Sequence, residues 1–154
     1  MDLRELHKML ENGLAMFMAT RDSRLTPVIS EVMGLDLSPD GKHMVFYVSQ
    51  SESQVALENI AQNDRVAVTM ARPANYFSAQ IKGVVRNTRP ITKQEIQRSK
   101  EWSEKYKQEI KYIGTHPQIP AALVMQADTA IEAEVQNLYL QTPGPEAGRK
   151  LEFE

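Results

Sequence analysis

A chain of 154 residues with 42% hydrophobic side chains is large enough to bury a core of its own and is expected to form one domain, 1–154. Its 18 basic and 20 acidic residues are well mixed and leave a formal charge of -2, so no large positive field points to nucleic acid or an anionic membrane as partner. With no cysteine there can be no disulfide, thiolate metal site or thiol catalysis. The amphipathic start MDLRELHKMLENGL does not read as a signal peptide, and no apolar run approaches the ~20 residues of a membrane span, so the expectation is a soluble, cytoplasmic protein.

Leu3, Leu6, Met9 and Leu10 recur at helical spacing among charges, predicting a short helix to about Asn12 that packs as a lid on the sheet. Leu14 to Thr20 is an apolar run of strand length. The polar turn Arg21 to Arg24 returns the chain into a second strand, Thr26 to Leu37, antiparallel to the first. Ser38-Pro39-Asp40-Gly41 is a turn in which proline fixes φ and glycine supplies a positive one; it leads into His43 to Ser49, giving a three-stranded meander. Ser51-Glu52-Ser53-Gln54 matches a capping box opening a helix that ends near Gln62 to Asp64. Arg65 to Ala71 and Tyr76 to Arg86 come next as strands, the latter with Phe77, Ala79 and Ile81 on one face and Tyr76, Ser78, Gln80 and Lys82 on the other.

Thr92-Lys93-Gln94-Glu95 is a second capping box, and its helix runs to about Ile113 with a sparse apolar stripe of Ile96, Trp102, Tyr106, Ile110 and Ile113. Ala121 to Gln126 and Thr129 to Leu140 read as the last strands, and an irregular tail begins near Pro143. The pattern is mainly β with peripheral helices: an antiparallel barrel of six or seven strands.

Catalytic constellations are thin. His7, His43 and His116 lack metal-ligand spacing. The 7 glycines form no phosphate loop or dinucleotide fingerprint, and neither Ser30 nor Ser49 sits in a nucleophile elbow. What remains is polar. Ser49, Ser51 and Ser53 lie at a helix start, where free amides and the helix dipole favour an anion and where ordinary capping uses the same residues. Tyr47, Ser49, Ser78 and Gln80 can line a groove and hydrogen-bond the edge of a flat heterocycle. Glu31 is a carboxylate among Val28, Ile29, Val32 and Met33, either facing solvent on an edge strand or serving a site.

The order of the PDG turn, the MVFYVS strand, the serine-rich helix start, the NDRVAV strand and the YFSAQIKG strand, spanning about Leu14 to Arg86, resembles the FMN-binding split barrels related to pyridoxamine 5'-phosphate oxidase. The resemblance implies a homodimer of split barrels with FMN in each of two clefts at the interface, the flavin itself being the redox centre, and hence an FMN-binding oxidoreductase-like protein. It implies that Ile29, Ser30 and Glu31 pass along the flavin ring, and that Tyr47, Val48 and Ser49 approach the isoalloxazine and ribityl. Ser51, Ser53 and Gln54 then fall in the phosphate region, and Ser78 with Gln80 on the polar face near the cofactor.

One departure stands out. The better-known flavin enzymes of the family carry a basic pair at this helix start, whereas Ser51 to Ala56 holds no basic residue and includes Glu52. A phosphate carries about -1.5 to -2 charges near neutral pH and a helix terminus offsets roughly half of one, so Arg21, Arg24, Arg72 and Lys82 are the candidates to supply the rest. The alternative is a non-enzymatic split-barrel module holding haem, a deazaflavin or no cofactor.

Overall fold

The computed structural model describes residues 2–123 and 125–152; Met1, Val124, Phe153 and Glu154 lie outside the described residues. Helix α1, Leu3–Leu10, opens on a capping box in which Asp2 accepts from the Glu5 amide and Glu5 accepts from the Asp2 amide, and it buries Leu6 and Met9. Strands β1, Ala15–Arg21, and β2, Pro27–Glu31, form the expected hairpin, with Phe17 opposite Glu31 and Ala19 opposite Ile29.

The meander does not continue beyond that hairpin. The predicted strand to Leu37 breaks at residues 32–34 into β2 and β3, Leu35–Leu37, and β3 pairs with β4, His43–Val48, rather than lying beside β1. After α2, Gln54–Asn63, come β5, Arg65–Ala71, and the long β6, Ser78–Pro90. Beyond α3, Lys93–Tyr112, the last long strand is β7, Thr129–Leu140. The sheet runs β2-β1-β5-β6-β7-β4-β3, so its two ends are consecutive pieces of one chain segment. Residues 32–34 close the sheet on itself. The Val32 amide donates to the Met16 carbonyl at 3.0 Å on one side, while on the other the Met33 amide reaches the Tyr47 carbonyl at 2.7 Å and the Tyr47 amide returns to Gly34 at 3.0 Å. Gly34 has a φ of +127°, and a Cβ there would sit 2.9 Å from the Tyr47 ring, so only glycine makes this crossing without strain.

The barrel interior is filled by one side of each strand, including Met16, Met18, Val68, Met70, Ile81, Phe46 and Ile131, all essentially inaccessible. Met16, Met18, Met44 and Met70 all lie in this core, where their unbranched, polarisable side chains fill irregular space. Helix α3 lies across the seam. Its Thr92–Glu95 capping box is present as expected, Trp102 donates to the Leu14 carbonyl at 3.0 Å, and Ser99 donates to the Met33 carbonyl. The backbone of Lys105 and Tyr106 runs so close to Gly13 that any Cβ there would lie 2.1 Å away. The stripe reaches Ile110, which is buried, but not Ile113, which is exposed at the helix end.

Two expectations near the C-terminus fail. The described residues between 121 and 126 form no strand, Val124 lying outside them: Gln118–Ala122 is a short helix, α4, because Pro117 and Pro120 supply helical φ values and Ala121 and Ala122 are strong helix formers. The tail after Pro143 is not wholly irregular either, since Lys150–Leu151 forms β8, pairs with β7 and buries Leu151. No helix among the described residues is long and apolar enough to cross a membrane.

Candidate cofactor face

The strand register sets one row of side chains across the outside of the sheet: Glu31 on β2, Phe17 on β1, Thr69 on β5, Gln80 on β6 and Tyr139 on β7. The next row is Ile29, Ala19, Ala67, Lys82 and Asn137. Small residues on β1 and β5 keep this face shallow, and its large apolar groups are left open, Ile29 at 69% and Phe17 at 46% exposure. The Gln80 amide nitrogen donates to Thr69 Oγ1 at 3.0 Å, which fixes the side chain and leaves its carbonyl oxygen without a partner among the described residues. Ser78 donates to the Tyr76 carbonyl at 3.1 Å, and its amide donates to Thr142 Oγ1 at 3.0 Å. Ile29, Glu31, Ser78 and Gln80 therefore share one outward face. Ser30, directly beside them in sequence, turns inward and is buried.

The end of β4 divides differently. Val48 is in the core, and Tyr47 is buried with its hydroxyl donating to Asp36, whose same oxygen accepts from Arg98 Nη1 at 2.6 Å. Burial first, and Asp36 second, push the Tyr47 phenol far above its ordinary range, so it stays protonated. Gly34, Leu35, Trp102 and Lys105 help line the small cavity of about 210 Å³ around this cluster.

At the start of α2, Ser49 Oγ lies 3.2 Å from Ser51 Oγ. Ser53 is the N-cap but its side chain makes no capping bond, so the box predicted at Ser51 to Gln54 is not formed. The Gln54 side chain instead donates to Glu58 at 3.2 Å, one turn on. The reason lies far away in sequence: Asp128 Oδ1 accepts from the Gln50 amide at 2.8 Å and from Thr129 Oγ1 at 2.8 Å, setting the turn's path before the helix begins. Glu52 is close enough to Glu31 to reinforce the effect of burial, and the two together raise the Glu31 carboxyl above its ordinary value.

No protein-family model matches the sequence, and no curated protein matches it. Solved structures do. HupZ of Group A Streptococcus is similar with a TM-score of 0.56 at 16% identity, over 96% of this chain and 100% of that one. An F420 reductase gives 0.53 at 18% identity, over 86% and 94%. A proposed pyridoxamine 5'-phosphate oxidase of Lactobacillus delbrueckii gives 0.54 at 11% identity, over 90% and 93%. The fold is the split barrel of pyridoxamine 5'-phosphate oxidase-like proteins.

A flavin on this split barrel would find its two ends unequally served. The outer face suits a flat ring: apolar at Phe17 and Ile29, with a fixed amide at Gln80. The start of α2 does not suit a phosphate. The Gln50 amide already holds a carboxylate, Glu31 and Glu52 bring two more acids, and residues 51–56 offer no cation. Of the cations singled out in the sequence, Arg72 is spent on Glu109 through Nε at 3.0 Å and Nη2 at 2.7 Å, and Arg24 stands 87% exposed beside Asp22. Arg21 and Lys82 line one and the same cleft on the outer sheet face. The sequence reading missed Phe17, Thr69 and Asp128. Thr69 was legible in the alternation of β5, whereas the unbroken apolar run of β1 hides which way Phe17 faces and nothing local marks Asp128 as the partner of a turn 78 residues away. No group of three acidic or histidine side chains able to hold a metal occurs among the described residues.

Proposed function

We propose that this split barrel works as a homodimer that binds a flavin, FMN first among the candidates, with the isoalloxazine ring against the outer face of β1, β2, β5 and β6. The observation that carries the reading is the row from Glu31 to Gln80. It sets the exposed Phe17 between Glu31 and Thr69, beside the exposed Ile29 of the next row, and ends in an amide whose carbonyl oxygen has no partner among the described residues and can accept from a ring N–H. A partner subunit laid over Phe17 and Ile29 would exclude water from the ring and complete the cleft. Bound there, the flavin supplies the hydride and electron chemistry, and the chain contributes binding, orientation and a dry surface.

A second reading is favoured by Glu31, Glu52 and Asp128 around the start of α2: a flat ligand not anchored by phosphate at that helix, such as haem, in a protein that binds rather than catalyses. One titration separates the two. Purified protein is mixed with FMN, riboflavin and haem, and followed by absorbance and flavin fluorescence. Saturable FMN uptake at one per chain, weakened about tenfold by Gln80→Ala at unchanged melting temperature, supports the flavin reading. Uptake of haem with none of FMN moves the protein to the binding-module class.

A further inference from the structure

Most arginines that reach a neighbouring element in this molecule are answered by a carboxylate. Arg72 has Glu109, Arg86 has Glu134, Arg89 has Glu95 and Glu132, and Arg98 has Asp36. The cleft of about 470 Å³ on the outer face of β1, β5, β6 and β7 breaks that rule. It is lined by Arg21, Arg65 and Lys82 together with Thr20, Gln136 and Asn137, and by no acidic residue among those described. Arg21 and Arg65 are the next outward positions beyond the Ala19–Ala67 pair on adjacent antiparallel strands, and Lys82 is the partner of Ala67 on the third. Like charges so placed repel, an arrangement that costs stability unless something negative lies between them.

The local acids are occupied elsewhere or held at arm's length. Arg21 Nη1 donates only to the Asp22 carbonyl at 3.2 Å, while the Asp22 carboxylate is taken up by the amides of Arg24 and Thr26. Asp64 stands 3.6 Å from Arg65 Nε and leaves both terminal nitrogens of that fork open. Lys82 is steadied by the Tyr139 ring, 5.3 Å from Nζ, and has no carboxylate partner among the described residues. The backbone is also shaped here. Lys82 pairs with Asn137 but Gly83 pairs with Val135, so Gln136 is an extra residue in β7, and this bulge puts Gln136 and Asn137 on the rim of the cleft.

We propose that Arg21, Arg65 and Lys82 form an anion site for a phosphate-bearing small molecule. Two guanidinium groups and an ammonium that line one cleft from three adjacent strands supply the charge and the N–H donors that a phosphate or pyrophosphate group needs, with the side-chain amides of Gln136 and Asn137 at the rim. The site does not depend on the flavin reading, because the probe carries no ring.

Full-length protein is titrated with pyrophosphate by calorimetry at low ionic strength. The expected result is saturable binding at one per chain that weakens at least about fivefold in Lys82→Gln and in Arg65→Gln and falls below detection in the double variant. Arg86→Gln removes the same charge from a paired, exposed arginine and should change affinity less than about twofold. Melting curves confirm that each variant folds; should Arg65→Gln not fold, Lys82→Gln alone carries the comparison. No saturable heat with the wild type, or equal weakening by Arg86→Gln, overturns the proposal. Flavin uptake without pyrophosphate binding overturns it while leaving the flavin reading in place.

Discussion

The far end of β6 and the start of α2 handle charge in opposite ways. At β6, Arg89 lies between Glu95 and Glu132, with contacts of 2.6 to 2.8 Å to three carboxylate oxygens, and Glu95 also closes the cap of α3. Arg89 holds the Glu95 carboxyl down at about 2. At α2, Glu31 and Glu52 stand near each other with no cation in contact with either among the described residues, and the Glu31 carboxyl moves the other way. Charge matched inside the chain locks the fold. Charge left unmatched, as in these acids and in the basic cleft, lowers stability and marks surface that a second molecule can satisfy.

Arg89→Ala should break the contrast most severely. It leaves Glu95, with a side chain only 11% exposed, without its counter-ion and should cost about 3 kcal/mol in urea denaturation at pH 7. Because the Glu95 pKa is depressed in the folded state, its contribution is complete above the ordinary 4.5 and is lost as pH falls toward 2; the gap between variant and wild type should close over that window. Tyr47→Phe removes the hydroxyl from Asp36 but leaves Arg98 in place, and should cost about 1.5 kcal/mol.

Glu31→Gln should act in the reverse sense and stabilise the fold by about 0.5 kcal/mol at pH 7. A raised carboxyl penalises the folded state only when ionised, so this gain should fade as pH falls through the Glu31 pKa toward 4.5. The smallest effect belongs to Ser53→Ala. With no capping bond to lose it should cost under about 0.5 kcal/mol, against about 1 kcal/mol for Thr92→Ala, whose oxygen does cap α3. Equal losses at the two helix starts would mean that the Ser53 hydroxyl has a partner in solution.

Elements specified by neighbours were legible in the sequence: the β1–β2 hairpin, the alternation of Ser78 to Lys82 and the Thr92 capping box stand as read, although the strand read from Tyr76 begins only at Ser78, Tyr76 having a φ of +59°. Elements specified from a distance were not. Strand β4 follows simple alternation only as far as Val45, because Phe46, Tyr47 and Val48 are buried in succession, the core on one side and α3 with its Asp36–Arg98 pair on the other. The Ser51 capping box yields to Asp128, and the strand read at residues 121–126 yields to two prolines that begin a helix. For the site, the outward placing of Ile29, Glu31, Ser78 and Gln80 comes from period-two alternation. The unpaired state of Arg21 and Lys82, and the arrival of Arg65 beside them, depends on which distant acids are already engaged.

The three-residue crossing at 32–34 has a consequence for the order of events in folding. The bonds of the crossing are local: Val32 to Met16 continues the β1–β2 register and those of Met33, Gly34 and Tyr47 continue the β3–β4 register, whereas β1 with β5 and β4 with β7 join segments far apart in the chain. Long-range closure of this kind is slow relative to hairpin formation. The amides of Val32, Met33 and Tyr47 should therefore acquire protection early in refolding, with the two hairpins they extend, and ahead of the amides that pair β4 with β7.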